Sequence, residues 1–272
     1  MIQNCYLCSY HTPNSKNKNM QISLLGKILD LFFPRYCIEC GNRLVGSEEM
    51  LCAYCLITLP YTNTWADYYR NEMAKMFWGR IPIERSVALF RYQSHSLPSN
   101  IIYKLKYFDR PDVGVYMGRL IAQKGLGQSN IQLPGDNLSS LFEGIDAIIP
   151  IPLTKKRLRH RGYNQSEMIA KGIQELTGLP IITDAVKRIV FTESQTHKNR
   201  WQRLENVEHV FQLSDSYHLG KEKHPINDLA GKHLLIIDDV CTTGATIIAC
   251  CKQLMKAGKM KFSVVSIGWT RE

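Results

Sequence analysis

The 272-residue chain is 44% hydrophobic and 21% charged, an ordinary globular composition that excludes a low-complexity or collagen-like chain. No apolar run approaches the roughly 20 residues that a membrane-spanning helix needs; Leu24–Phe33 is broken by Lys27 and Asp30 and lacks a following small-residue cleavage site, so a cytoplasmic protein is expected. A formal charge of +10 favours polyanionic partners, a pyrophosphate-bearing ligand or nucleic acid, without choosing between them. The length accommodates one α/β domain of roughly 150 to 200 residues with a small appendage.

Residues 1–19 are polar and read as a disordered or misassigned extension ahead of Met20. Within them Cys5-x-x-Cys8 and His11 have no second pair at matching distance and are not taken as a site. Residues 20–62 read as one module. It opens on an amphipathic helix with Ile22, Leu25, Ile28, Leu29, Phe32 and Phe33 at helical spacing. Cys37-x-x-Cys40 and Cys52-x-x-Cys55 follow, the arrangement in which two knuckles close on one tetrahedral ion, with Gly41 easing the first bend. Four thiolates on Zn²⁺ leave no open coordination position, so a structural rather than a catalytic ion is expected; two redox or incidental pairs are the alternative. Residues 63–85, aromatic without clean periodicity, read as a connection.

The remaining 86–272 alternate between strand and helix signals, which indicates parallel crossover units. Ser86–Tyr92 reads as a strand. Leu97–Tyr107 and Val113–Lys124 read as helices, with Pro111 ending the first. A loop is expected over about 125–140, a strand at Ile145–Ile149, and a helix capped by Asn164 or Ser166 that stops at Gly178. Ile181–Thr183, Ala185–Val190 and Phe262–Ile267 are further strand candidates. Between the second strand and the capped helix lie Lys155, Lys156, Arg157, Arg159 and Arg161, five cations within seven residues. They read as a basic loop that closes over a pyrophosphate or is merely solvated.

Leu234–Ile237 is a wholly apolar run, as suits a strand covered on both faces. Asp238 and Asp239 follow at its carboxyl end, where open α/β sheets place ligands. Cys241, Thr242, Thr243, Gly244, Ala245 and Thr246 then form a turn into a helix, offering free N–H groups, hydroxyls and a helix dipole to a phosphate dianion. Carboxylates that accept hydroxyls beside a phosphate cradle suit a sugar phosphate. Neither a Gly-x-x-x-x-Gly-Lys nor a Gly-x-Gly-x-x-Gly pattern is present there.

Apolar strand, Asp-Asp, apolar pair and Thr-Thr-Gly-x-Thr together resemble the phosphoribosyl-pyrophosphate motif of type I phosphoribosyltransferases. Pro150-Ile-Pro-Leu-x-Lys-Lys-Arg-Leu-Arg-x-Arg-Gly-Tyr-Asn-Gln165 resembles one family of that fold, the ComF family associated with DNA uptake and competence. The four cysteines, Leu105-Lys106-Tyr107, and Arg188, Thr192, Gln195, Arg203, Asn206 and Phe211 agree with it. The resemblance implies a parallel sheet flanked by helices with an N-terminal zinc module. It implies that Asp238 and Asp239 hold ribose hydroxyls and help place Mg²⁺, that Cys241–Thr246 cradle the 5′-phosphate, and that the cations at 155–161 with Arg188 and Arg203 meet the pyrophosphate. Residues 187–206 take the place of the family's mobile loop, where Trp201 adds a stacking face. Thr242 stands where purine-salvage relatives carry Asp, which weakens a purine-base acceptor. The rival expectation is a non-catalytic protein of DNA import that binds single-stranded DNA and retains a nucleotide site.

Overall fold

A computed structural model describes residues 33–128, 140–189 and 210–270. The expected N-terminal helix, the misassigned extension, most of the 125–140 loop, Trp201 and Arg203 lie outside these residues. The described chain runs α1 (Ala53–Thr58), α2 (Glu72–Lys75), β1 (Ile83–Arg91), α3 (Leu97–Tyr107), α4 (Pro111–Gly125), β2 (Ala147–Pro150), α5 (Lys155–Arg161) and α6 (Gln165–Thr177). It continues through β3 (Val186–Arg188), β4 (Phe211–Leu213), β5 (Ser216–Leu219), β6 (Glu222–Pro225), β7 (His233–Cys241), α7 (Ala245–Leu254) and β8 (Lys261–Trp269). No described helix is long and apolar enough to cross a membrane.

The central sheet has the order β1-β8-β7-β2, and every neighbouring pair is parallel. A strand buried on both faces sends alternate side chains into two different cores. Accordingly Leu235, Ile237, Val265 and Ile267 pack on the face covered by α3, α4, α6 and the cysteine module. Leu234, Ile236, Phe262 and Val264 pack on the face covered by α7 and Phe77. The β3–β4 and β5–β6 pairs are small antiparallel additions.

The α4 and α6 backbones touch: a Cβ at Gly118 would run into the Ile169 carbonyl, and one at Gly172 into the Val115 carbonyl. Asn164 caps α6 by accepting from the Ser166 N–H at 3.1 Å, and its Nδ2 donates to the Ile151 carbonyl at 3.0 Å, so one side chain starts the helix and ties it to the end of β2. Gly178, at φ 71°, ends it in the left-handed conformation that glycine adopts at no steric cost.

Two local expectations need correction. Pro111 does not end α3 but opens α4, where its missing N–H would be unbonded in any case. Residues 155–161 are a helix rather than a loop: Lys, Arg and Leu are good helix formers, Thr154 Oγ1 accepts the Arg157 N–H at 3.3 Å, and Gly162 at φ 78° closes the end. The 63–85 stretch is packed into the core, with Trp65, Met73 and Phe77 almost wholly buried. Trp65 Nε1 donates to the Ala88 carbonyl at 2.9 Å and Asn71 Nδ2 to Ser86 at 2.9 Å, fastening the stretch to β1.

Candidate functional site

β7 runs past the apolar core to Cys241, so Asp238 and Asp239 sit within the last four residues of the strand rather than after it. Asp238 Oδ1 accepts the Asp239 N–H at 2.9 Å and the Ser166 hydroxyl at 3.4 Å, and Lys106 Nζ lies 3.0 Å from Asp239 Oδ2. Three elements therefore converge on the acids: the end of β7, the first turn of α6 and the last turn of α3. Burial, and after it the neighbouring Asp239 charge, push the Asp238 carboxyl up to about 7, against the Asp239 N–H, Lys106 and Arg188.

After β7 the chain turns through Thr242, Thr243 and Gly244 into α7. Gly244, at φ 69°, precedes the helix, and a Cβ there would stand 2.9 Å from the Phe77 ring, so that ring fixes the height of the turn. No side chain among the described residues caps the first turn of α7, although the Ala245 N–H meets Thr243 Oγ1 at 3.5 Å. The exposed Thr242 and Thr243 line a hollow of about 400 Å³ together with Glu72, Met76, Arg80, Trp269 and Thr270, so one carboxylate stands beside its one guanidinium. Trp269 Nε1 is buried there without a partner among the described residues. Ala245 and Thr246 are half-buried at the start of α7. Cys241 points into the core, and burial, then Asp238, push its thiol up to about 12, so only its main chain faces the turn.

Lys106, the partner of Asp239, also lines a cleft of about 780 Å³ together with Lys156, Arg157, Arg161 and Arg188, with Tyr107 and Thr154. Lys155 and Arg159 are exposed on α5 and do not line it. Arg161 is steadied by Gln165 Oε1 at 2.9 Å and stands over the Tyr107 ring at 5.4 Å. Burial, then the nearby Arg157, lower the pKa of Arg188, while Asp238 and Asp239 oppose them. A guanidinium held in a positive, partly dry setting is one that an anion would relieve.

Lys106, Ser166, Arg80 and the supporting Phe77 escaped the sequence reading as site residues. Leu105-Lys106-Tyr107 was visible as a motif, but nothing local in the sequence shows that its lysine reaches an acid 133 positions away, between Lys106 and Asp239.

The Sγ atoms of Cys37, Cys40, Cys52 and Cys55 lie within 4.8 Å of one another. The Cys40 and Cys52 sulfurs are 3.7 Å apart, and a tetrahedron with about 2.3 Å metal–sulfur bonds has edges of roughly 3.8 Å. Gly41 at φ 73° donates its N–H to the Cys37 carbonyl at 3.0 Å, closing the first knuckle. Burial resists ionisation of Cys37, yet the N–H groups of Cys40, Cys52 and Glu39 outweigh it and bring that thiol down to about 7. Burial and the surrounding thiols hold Cys55 well above the ordinary thiol range. The four residues fit Zn²⁺, since a divalent cation is what would let all four ionise together.

A parallel sheet that carries twin acids and a threonine-lined turn at its carboxyl edge is the architecture of a type I phosphoribosyltransferase domain, and the family model described as "Phosphoribosyl transferase domain" matches residues 173–268. Over most of its length the chain is 26% identical, across 238 residues, to the "DNA utilization protein YhgH" of Salmonella typhimurium, covering 84% of this chain and 94% of that one. It is 24% identical over 242 residues to "Competence protein F" of Haemophilus influenzae, covering 86% and 96%, and 30% identical over 112 residues to "Competence protein ComFC" of Bacillus subtilis, covering 41% and 39%. The resemblance to the ComF family drawn from the sequence is borne out over most of the chain.

Proposed function

We propose that the chain binds phosphoribosyl pyrophosphate, or a closely related sugar phosphate, with Mg²⁺ and transfers the phosphoribosyl group to an acceptor. The observation that carries this reading is that Lys106, paired with Asp239 near the carboxyl end of β7, also lines a cationic cleft suited to pyrophosphate, while the same strand runs on into the exposed threonine turn. In the reaction the bond from the anomeric carbon to the pyrophosphate oxygen breaks, a bond from the acceptor's nucleophilic atom forms, and the acceptor loses a proton. The acids hold the ribose hydroxyls, the turn holds the 5′-phosphate, and Arg157, Arg161, Arg188 and Lys106 take up negative charge as pyrophosphate leaves. Asp238 and Asp239 would help to hold Mg²⁺, which would supply further neutralisation of the pyrophosphate charge. The strained ionisation of Asp238 beside Asp239 fits such a cation. Zn²⁺ on Cys37, Cys40, Cys52 and Cys55 has a structural role in the N-terminal module, and the packed stretch 63–85 leads from it into a catalytic domain whose sheet begins at Ile83.

The relatives' names, competence and DNA utilization, support a place in handling imported DNA. A second reading, non-catalytic binding of single-stranded DNA, is favoured by one observation: Lys155 and Arg159 project from α5 into solvent, outside the cleft.

Calorimetric titration of phosphoribosyl pyrophosphate with Mg²⁺ tests the first reading. The wild type binds and Asp238→Asn/Asp239→Asn does not; a wild type that fails to bind, or a double variant that binds equally well, refutes it.

A further inference from the structure

Gln165, the first residue of α6, is only 1% exposed. Its neighbours hold the backbone on both sides: Asn164 caps the helix and binds the end of β2, and the Ser166 hydroxyl reaches Asp238. Gln165 Oε1 accepts from Arg161 Nη1 at 2.9 Å, and Arg161 lines the cationic cleft. Its Nε2 is buried with no acceptor among the described residues. Turning the amide over would not help, because an N–H donor would then face the guanidinium. The carbonyl must face Arg161, and the amine is the end left over. A buried donor without an acceptor is costly and rare in folded proteins, so this one calls for a use.

We propose that Gln165 is a pyrophosphate-binding residue, which presents Arg161 to the ligand through its carbonyl and donates its free N–H to a ligand oxygen beside that guanidinium. The inference rests on the sugar-phosphate reading of the site and adds to it a residue that selects for the leaving group. Oε1 and Nε2 share one carbon, so Nε2 stands within about 5 Å of the guanidinium nitrogen, a gap that one phosphate oxygen accepting two N–H···O bonds of about 2.9 Å can bridge. Gln165 stands behind Arg161 rather than on the wall of the cleft. Its donor is thus kept from water and gains an acceptor only when a phosphate oxygen enters beside Arg161. A neutral donor also suits the setting. The cleft already gathers Lys106, Arg157, Arg161 and Arg188, which repel one another in the absence of an anion, and an amide adds recognition without adding to that repulsion.

Gln165→Glu separates the two ends of the side chain. A carboxylate holds the guanidinium at least as well as an amide does, but it offers an acceptor where the ligand needs a donor. Calorimetry would give the Kd of phosphoribosyl pyrophosphate with Mg²⁺ and that of ribose 5-phosphate, which has the same sugar and 5′-phosphate without the pyrophosphate. The glutamate variant is expected to keep a Tm at or above that of the wild type at pH 7.5. It should bind phosphoribosyl pyrophosphate at least about tenfold more weakly, with ribose 5-phosphate unaffected. Gln165→Met, of similar size and uncharged, guards against a glutamate variant that fails to fold. It should lose a similar factor for phosphoribosyl pyrophosphate alone, and lose affinity in an Arg161→Met background too, because a ligand contact of its own remains to be removed. Three results overturn the inference: a glutamate variant that binds phosphoribosyl pyrophosphate as the wild type does, a loss shared equally by both ligands, or a methionine change without effect once Arg161 is gone. Gln165 would then support only the fold or Arg161. A wild type that binds neither ligand instead sinks the sugar-phosphate reading beneath it.

Discussion

Lys106 Nζ stands 3.0 Å from Asp239 Oδ2, joining the last turn of α3 to the end of β7 across the mouth of the site, with side chains only 24% and 13% exposed. An ion pair this sheltered is screened less than one in open water, and the same ammonium lines the cationic cleft. Lys106→Met therefore removes both a support for Asp239 and a charge for the ligand. Hydrogen bonds to charged groups contribute about 1.5–3 kcal/mol, so the Kd for phosphoribosyl pyrophosphate with Mg²⁺ is expected to rise roughly 10- to 100-fold. Lys106→Arg loses much less. An unchanged Kd for the methionine variant would mean that the pair is incidental.

On the sugar-phosphate reading, ligand binding and stability oppose each other at Asp238. Its carboxyl titrates at 3.8 in the reference state and at about 7 in the folded chain, through burial and then the Asp239 charge. Between those values the folded protein retains a proton that the unfolded chain has released, so Asp238 makes folding less favourable as pH rises through that window. Asp238→Asn is expected to raise Tm at pH 8, to match the wild type near pH 4, and to lose sugar-phosphate affinity. A lower Tm at pH 8 would show that the ionised acid is well solvated in the folded state.

How far these features could be read in advance depends on the range of the forces involved. The apolar run at Leu234–Ile237, the Asn164 cap and the Gly178 stop are local, and each stands where the sequence put it. The extension of β7 through Asp238 and Asp239 was hidden because carboxylates are poor strand formers in isolation; pairing with Ser266 and Gly268 of β8 overrides that preference. The seven residues of α5 read as a loop on charge alone, yet their propensities and the flanking Thr154 and Gly162 were in plain view. Of the cations proposed for pyrophosphate, Arg157, Arg161 and Arg188 line the cleft while Lys155 and Arg159 do not. Helical phase decides that, and a segment taken for a loop has none to assign.

Gly244 is constrained twice over. Its φ of 69° disfavours any L side chain, and a Cβ would stand 2.9 Å from the Phe77 ring, itself wholly buried. The left-handed conformation alone costs about 1–2 kcal/mol, so Gly244→Ala should lower the urea midpoint of unfolding by at least that equivalent. It should also weaken sugar-phosphate binding, because relief of the contact displaces the threonine turn. Wild-type values for both would show that the turn tolerates a shift.

The four-cysteine site predicts a bound ion and a mechanical consequence. Native mass spectrometry is expected to find one Zn²⁺ per chain, lost in Cys40→Ser. Cys40 is the exposed ligand, so this change disturbs packing least. The module is fastened to the sheet domain by Asn100 Nδ2 to Glu39 Oε1 at 2.9 Å and Arg119 Nη2 to Glu49 Oε2 at 2.8 Å. Because metal binding to a site absent from the unfolded chain adds directly to folding, the variant should show a lowered Tm that added zinc does not restore. A metal-free wild type of unchanged Tm would contradict the assignment.

His233 opens β7 and is buried, with Nε2 2.9 Å from Ser263 Oγ. Burial, then Arg85, depress its pKa below 6.5, with Glu84 and Asp146 opposing. The unfolded chain accordingly takes up a proton near pH 6.5 that the folded chain refuses until the pH is lower. Stability is intact above that value and declines as pH falls through the interval down to the folded pKa. His233→Asn keeps a donor for Ser263 but cannot titrate. The wild type is therefore expected to lose more of its urea midpoint between pH 7.5 and pH 5.5 than the asparagine variant loses. The difference between the two isolates His233 from the carboxylates that weaken every protein in acid, and two parallel curves would show that the buried imidazole is protonated without cost.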